Sequence, residues 1–254
     1  MSSSSPAWEY SLPLHADRFG DGDRCILLLH GFGANSFEYK SWIGPLAEGH
    51  EVWTVDLKGH GSAPAPPDEQ YSPHDHAELV YRLIVQKDLR RLTLIGHSMG
   101  GGIALLVALR LLGEERLERL VLLAGAAYPQ RLPPFVKLAR MGRLTPWLFA
   151  ITPKGWMIRQ VIRHIVYDPD KVSAVQVEAY AEPLRSAAHR LAMIRTALQI
   201  VPPDLTEFTA RYAEIDVPTL LLWGRHDPVV PLSVGEKLLA ALPDAQLVIL
   251  EECG

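Results

Sequence analysis

The sequence predicts an α/β architecture: a mostly parallel, doubly wound sheet carrying one inserted block of helices. Three observations carry that expectation. Short apolar runs such as Cys25–Leu29 and Leu120–Ala124 recur with helical stretches between them, and runs without a polar face suit strands covered on both sides. The alternation stops near Tyr128, after which the chain shows only helical periodicity, punctuated by Pro133, Pro146, Pro153, Pro169 and Pro183. It resumes at Val217–Trp223. The expected division is therefore a core of residues 1–127 and 206–254 around a helical insertion at 128–205.

In order, the chain opens with an extended segment near Trp8–Leu14 and a Gly20-Asp21-Gly22-Asp23 turn before the strand Cys25–Leu29. His30-Gly31-Phe32-Gly33 follows, then a helix around Tyr39–Ala47, the strand Glu51–Val55 and the loop Asp56–Ser62. Ser72-Pro73-His74-Asp75 has the form of a capping box with proline at the first helical position, so a helix should run from there to about Gln86. The strand Leu92–Ile95, a helix at Met99–Leu112 and the strand Leu120–Ala124 complete the first half. After the insertion come Val217–Trp223, a helix near Ser233–Leu242 and the strand Gln246–Leu250.

Composition narrows the class. With 254 residues, 48% of them hydrophobic, the chain has enough apolar material for a large core, and a net charge of −4 argues against nucleic-acid binding. The N-terminus lacks the basic start and apolar stretch of a signal peptide, and no run approaches the roughly 20 apolar residues of a membrane span. A cytoplasmic protein is expected. Cys25 and Cys253 make neither a disulfide framework nor a metal motif, and His74 and His76 face different directions on one helix, so no metal and no cofactor are called for. The charge is uneven: between Tyr128 and Ile200 there are 11 Lys/Arg against 4 Asp/Glu. That balance suggests an anionic small-molecule substrate or an acidic partner.

The chemistry is expected at Gly96-His97-Ser98-Met99-Gly100, where an apolar strand ends and a helix begins. A serine on such a turn is lifted out of the sheet with strained backbone angles, its surroundings tolerate almost no side-chain volume, and the following helix points free N–H groups at it. A serine hydroxyl becomes a useful nucleophile only beside a base, and the base needs a carboxylate to orient it. Asp227, in Gly224-Arg225-His226-Asp227-Pro228 just past a strong strand, is the candidate acid.

Taken together and in order, His30-Gly31-Phe32-Gly33, Asp56-Leu57-Lys58-Gly59-His60-Gly61-Ser62, Gly96-His97-Ser98-Met99-Gly100 and Gly224-Arg225-His226-Asp227-Pro228 resemble the α/β-hydrolase family over essentially the whole chain. The resemblance implies a sheet of α/β-hydrolase type with a helical cap, Ser98 as nucleophile, Asp227 as triad acid, and the backbone N–H groups of Phe32 and Met99 as oxyanion hole. It also implies a base histidine directly after the glycine that ends Leu247–Gly254, one residue beyond this sequence, as though the chain were C-terminally truncated. Among the histidines present, His30 is expected to brace the oxyanion loop, while His60 has a structural place.

The activity expected on this basis is hydrolysis of a carboxylic ester through an acyl-enzyme on Ser98. Carbon–carbon bond hydrolysis of a diketone acid and a catalytically silent binding protein are the alternatives. A dinucleotide-binding reading, from Gly31-Phe32-Gly33-Ala34-Asn35-Ser36 with Asp56 after the next strand, explains neither Ser98 nor Asp227.

Overall fold

The structure, a computed structural model, describes residues 12–140 and 145–254, with the side chains of residues 146–148 excepted. The extended segment expected at Trp8–Leu14 falls mostly outside these residues. Seven strands form one sheet: β1 (His15–Phe19), β2 (Cys25–Leu29), β3 (Glu51–Asp56), β4 (Leu92–His97), β5 (Leu117–Leu123), β6 (Thr219–Gly224) and β7 (Ala245–Leu250), in the order β1-β3-β2-β4-β5-β6-β7. All neighbours are parallel except β1, which pairs antiparallel with β3 at the edge. Because β1 has only one neighbour it is polar and largely exposed, so no apolar run marks it. The strand therefore lies later in the chain than the expected extended segment.

The middle of the sheet shows why the apolar runs have no polar face. Every residue of β2 is buried. Leu27 and Leu29 join Val80 and Ile84 of α2 (Pro73–Gln86) and Ile103 and Val107 of α3 (Met99–Arg110) in one cluster. Ile26 and Leu28 point the other way, toward Tyr39 and toward Leu46 of α1 (Lys40–Ala47). The two-residue period of a strand thus feeds two cores at once. The capping box is formed as expected: the Ser72 side chain accepts from Asp75 N, and Asp75 Oδ2 accepts from Ser72 N at 2.9 Å.

From β2 the chain steps one way to β3 and then the other way to β4. The crevice at the carboxyl ends of β2 and β4 is therefore a topological switch point, where connections leave in opposite directions and open a binding cleft.

Among the described residues, six helices stand between β5 and β6: α4 (Pro134–Ala139), α5 (Thr145–Ile151), α6 (Lys154–Ile165), α7 (Ala174–Ala181), α8 (Ala187–Gln199) and α9 (Leu205–Ala210); α10 (Leu232–Ala241) joins β6 to β7. The first five, α4 to α8, bury an apolar cluster of their own that includes Phe149, Ile158, Ile162, Val177 and Ile194. Polar contacts tie them to the sheet half. Asn35 Nδ2 donates to Ala179 O at 2.8 Å, Arg195 pairs with Glu69 at 2.6 Å, and His74 meets Asp204 at 2.9 Å. No described helix is long and apolar enough to cross a membrane.

Candidate active site

At the end of β4 the chain turns on Ser98, whose φ of 50° and ψ of −115° lie where residues with a side chain rarely go. Such a conformation costs on the order of 1–3 kcal/mol and persists only where its surroundings fix it. Here the Ser98 N–H donates to Leu123 O and its carbonyl accepts from Ala126 N, both at 2.9 Å. Two glycines give the turn room. A Cβ at Gly96 would stand 2.3 Å from Gly100 O, and one at Gly100 would stand 2.3 Å from Leu29 O. The serine side chain faces open space while Met99, the first residue of α3, offers an N–H with no acceptor inside the helix.

The opposite wall is the turn after β2. His30 is fully buried, and Leu57 N donates to its Nε2 at 3.0 Å, which requires that the ring carry its proton on Nδ1. That proton goes to Gly31 O at 2.8 Å. Burial pushes the His30 imidazole below its ordinary range, so it stays neutral and braces the loop that presents Phe32. Asp56, also buried, accepts from the N–H groups of Ser36 and Ser62, each at 2.7 Å. Its carboxylate is committed to holding two loops and does not serve a dinucleotide ribose.

Between the two walls sits Glu38, which the sequence did not single out. Its Oε1 lies 2.6 Å from His97 Nδ1, and its Oε2 accepts from Gly31 N at 3.2 Å. Burial opposes charge on both partners, and each outweighs that for the other: the His97 imidazole is held above its ordinary value and the Glu38 carboxyl below. One carboxylate thus ties the loop before Phe32 to the residue before Ser98.

Asp227 stands after β6. Its Oδ1 accepts from Val229 N at 2.7 Å and Val230 N at 2.8 Å, which fixes the carboxylate. Burial raises its pKa, against the pull of these two donors. Asp227 and Ser98 line the same cavity of about 420 Å³, so both stand on one rim of the sheet. A second cavity of about 90 Å³ also opens on Ser98, and Phe32, Phe135 and Val229 line both. The larger one reaches up between helices α4, α6 and α7 and down to Cys253 and Gly254.

Four of the predicted site residues, Ser98, Met99, Phe32 and Asp227, therefore converge on one place. The basic residues of the helical segment do not: among the described residues no Lys or Arg lines either cavity, whose charged or titratable members are Glu38, His97, Asp227, Tyr128, Tyr180, Tyr212 and Cys253. The expectation of an anionic substrate drew on the net charge of the segment, but its cations project elsewhere.

A family model described as the alpha/beta hydrolase family matches residues 26–254. The chain belongs to the alpha/beta hydrolase family. Within it, the chain is 27% identical over 246 residues to a 2-hydroxy-6-oxononadienedioate/2-hydroxy-6-oxononatrienedioate hydrolase of Cupriavidus pinatubonensis, spanning 95% of this chain and 83% of that protein. Solved structures of similar shape include a meta-cleavage product hydrolase from Pseudomonas fluorescens (TM-score 0.77, 21% identity, 95% and 86% of the two chains). An esterase from Exiguobacterium antarcticum superposes equally well (TM-score 0.78, 24% identity, 95% and 88%). Near-equal likeness to enzymes that cleave different bonds leaves the reaction to be argued from the site.

Among the described residues, no histidine of this hydrolase other than His97 lines either cavity at Ser98. His60 and His76 are buried, His189 Nε2 lies 3.1 Å from Ala63 O, His164 bonds Gln160 O within α6, and the exposed His226 stacks on Tyr167 at 5.3 Å.

Proposed function

We propose that this hydrolase cleaves carboxylic esters of uncharged, apolar acyl groups through an acyl-enzyme on Ser98. In this reading the N–H groups of Phe32 and Met99 receive the oxyanion, each such donor being worth about 3 kcal/mol of transition-state stabilisation. Asp227 orients the base. In this reading the base is the histidine that the resemblance to the family places directly after Gly254. A Cβ on Gly254 would lie 2.6 Å from His226 O and 3.3 Å from Asp227 N, so Gly254 packs on the backbone that carries Asp227, and the two residues line one cavity. Residues 128–205 act as the cap that encloses the acyl group.

The observation that carries the ester reading is the lining of the two cavities that meet at Ser98. It is mostly apolar, it includes the carboxylates Glu38 and Asp227, and among the described residues it has no Lys or Arg. A substrate carboxylate placed there would lose its hydration without gaining a cation, at a cost of several kcal/mol.

The second reading is carbon–carbon bond hydrolysis, and the activity named for the relatives supports it over the ester reading. Their substrates are named as dioates, which bring two carboxylates to a site whose lining, among the described residues, holds no Lys or Arg. A direct competition decides. The full-length enzyme is given neutral nitrophenyl esters of graded acyl length and, separately, a 2-hydroxy-6-oxo dienedioate. The ester reading expects kcat/KM at least 100-fold higher for the best ester; efficient dioate cleavage with inert esters would replace it by the second reading.

A further inference from the structure

The helices that enclose the cavity have a second, outward face with an unusual composition. From Tyr128 to Tyr167 the chain holds seven Lys/Arg and no Asp or Glu, in a protein whose net charge is −4. Of these cations Lys154 is occupied, donating to the Phe149 and Thr152 carbonyls at the end of α5. Lys137 on α4, Arg140 just after it, and Arg159 and Arg163 on α6 make no side-chain hydrogen bond, ion pair or ring contact among the described residues. Later cations in the helical segment are paired, Lys171 with Asp168 at 3.6 Å and Arg195 with Glu69 at 2.6 Å.

The same stretch carries large apolar side chains in the open. Trp156 is 61% exposed and Ile151 58%. On α6 the arrangement is helical: Ile158 and Ile162 are buried, while Trp156, Arg159 and Arg163 follow the i, i+3, i+7 spacing of the opposite face. Along α4, Val136 and Ala139 are buried and Lys137 is exposed, as is Arg140 just beyond the helix. Solvent alone does not explain an exposed tryptophan and isoleucine set among unpaired cations. An acidic polymer would satisfy the cations but not the apolar groups; an anionic lipid surface satisfies both, its headgroups meeting the guanidinium groups while the apolar side chains enter the acyl boundary. Because the rest of the molecule carries the excess of acids, such a surface would repel every other approach and fix the orientation.

We propose that the outward face of α6, with Ile151 at the end of α5, docks this hydrolase on anionic phospholipid membranes, with the cavity on the inner side of α6. Met157, Val161 and Ile165 line that cavity, directly behind the docking face. The proposal goes beyond the ester reading and does not depend on Ser98.

The test uses the full-length protein and vesicles of phosphatidylcholine alone or with one quarter phosphatidylglycerol. Co-sedimentation is expected with the anionic vesicles only, falling as salt rises. Each surface cation contributes about fivefold to partitioning, so R159E/R163E should lower it at least 25-fold while leaving turnover of a short soluble ester unchanged. W156A should weaken binding and remove the fluorescence quenching that brominated lipids cause in the wild type. S98A should bind as the wild type does, which separates this proposal from the catalytic one. No sedimentation with anionic vesicles at low salt, equal binding by the charge-reversed variant, or binding to RNA or heparin without binding to vesicles would each overturn it.

Discussion

The rim of the sheet and the helices above it enclose the same cavity from opposite sides and hold their shapes by different means. At the rim, polar groups are fixed by short buried contacts: Asp56 on two amides, His30 between Leu57 and Gly31, Glu38 between Gly31 and His97, Asp227 on Val229 and Val230. In the helical segment the wall is made by side chains such as Ile158, Ile162 and Phe149 packing on one another. Directional contacts set atom positions to fractions of an ångström, whereas apolar packing sets volume and tolerates exchange. The lesson is a division of labour. Changes at the rim should alter rate with little effect on which substrate is preferred, and changes above it the reverse.

The strongest attempt to break that division is Asp227→Asn. It keeps the shape of the rim and removes the charge that orients the base in the proposed mechanism, so kcat should fall about 10⁴-fold with little change in relative preference among esters. A preference that shifts with it would show that the rim also selects substrate.

Its counterpart above the rim is Ile162→Phe, which fills part of the cavity. The optimum acyl length should shorten, with discrimination between long and short esters changing by about 10- to 100-fold, while turnover of the shortest ester stays near wild type. Equal loss on every ester would mean that the helices set catalytic geometry as well as volume.

Glu38→Gln sharpens the comparison inside the rim. The amide keeps the bond from Gly31 N but loses the charge that holds His97, so kcat should fall about tenfold, less than the 10²-fold or more for loss of an oxyanion donor, with KM little changed. The His97 imidazole, followed by NMR, should titrate lower than in the wild type. An unmoved titration would remove the ion pair from the account.

These elements were unequally legible in the sequence. Ser98, Gly96 and Gly100 are neighbours in the chain, and the strand and helix that position them are strongly apolar, so local pattern alone locates the turn. Asp227 follows from the strand before it. Glu38 gave no signal because its partners Gly31 and His97 come together only across the sheet. β1 stayed hidden because an edge strand can be polar, and its register is set by β3 rather than by its own residues. The sign of the charge on the helical segment was plain, but its direction was not: helical periodicity places residues on a face without telling which face meets the cavity, and the cations lie outside it.

A smaller effect concerns pH. His30, His60 and His76 are buried, and burial lowers all three pKa values, His60 to about 3. The unfolded chain takes up protons near pH 6.5 that the folded chain refuses. Stability is therefore full above that pH and is lost as the pH falls, by about 1.4 kcal/mol per pH unit for each group. For His60 this window extends down to about pH 3. Both ring nitrogens of His76 lack a partner, so His76→Leu should fold and should reduce the slope of unfolding free energy between pH 6 and 5 by about 1.4 kcal/mol per unit, read by urea denaturation. An unchanged slope would show that His76 is protonated in the folded protein.

The account as a whole rests on Ser98 as the nucleophile, and the most direct measurement is peptide mapping of the full-length enzyme after reaction with a fluorophosphonate. A single adduct on Ser98, formed in step with loss of esterase activity and absent from Ser98→Ala, is the result the account predicts. An adduct on another residue, or esterase activity that survives complete labelling of Ser98, would contradict it.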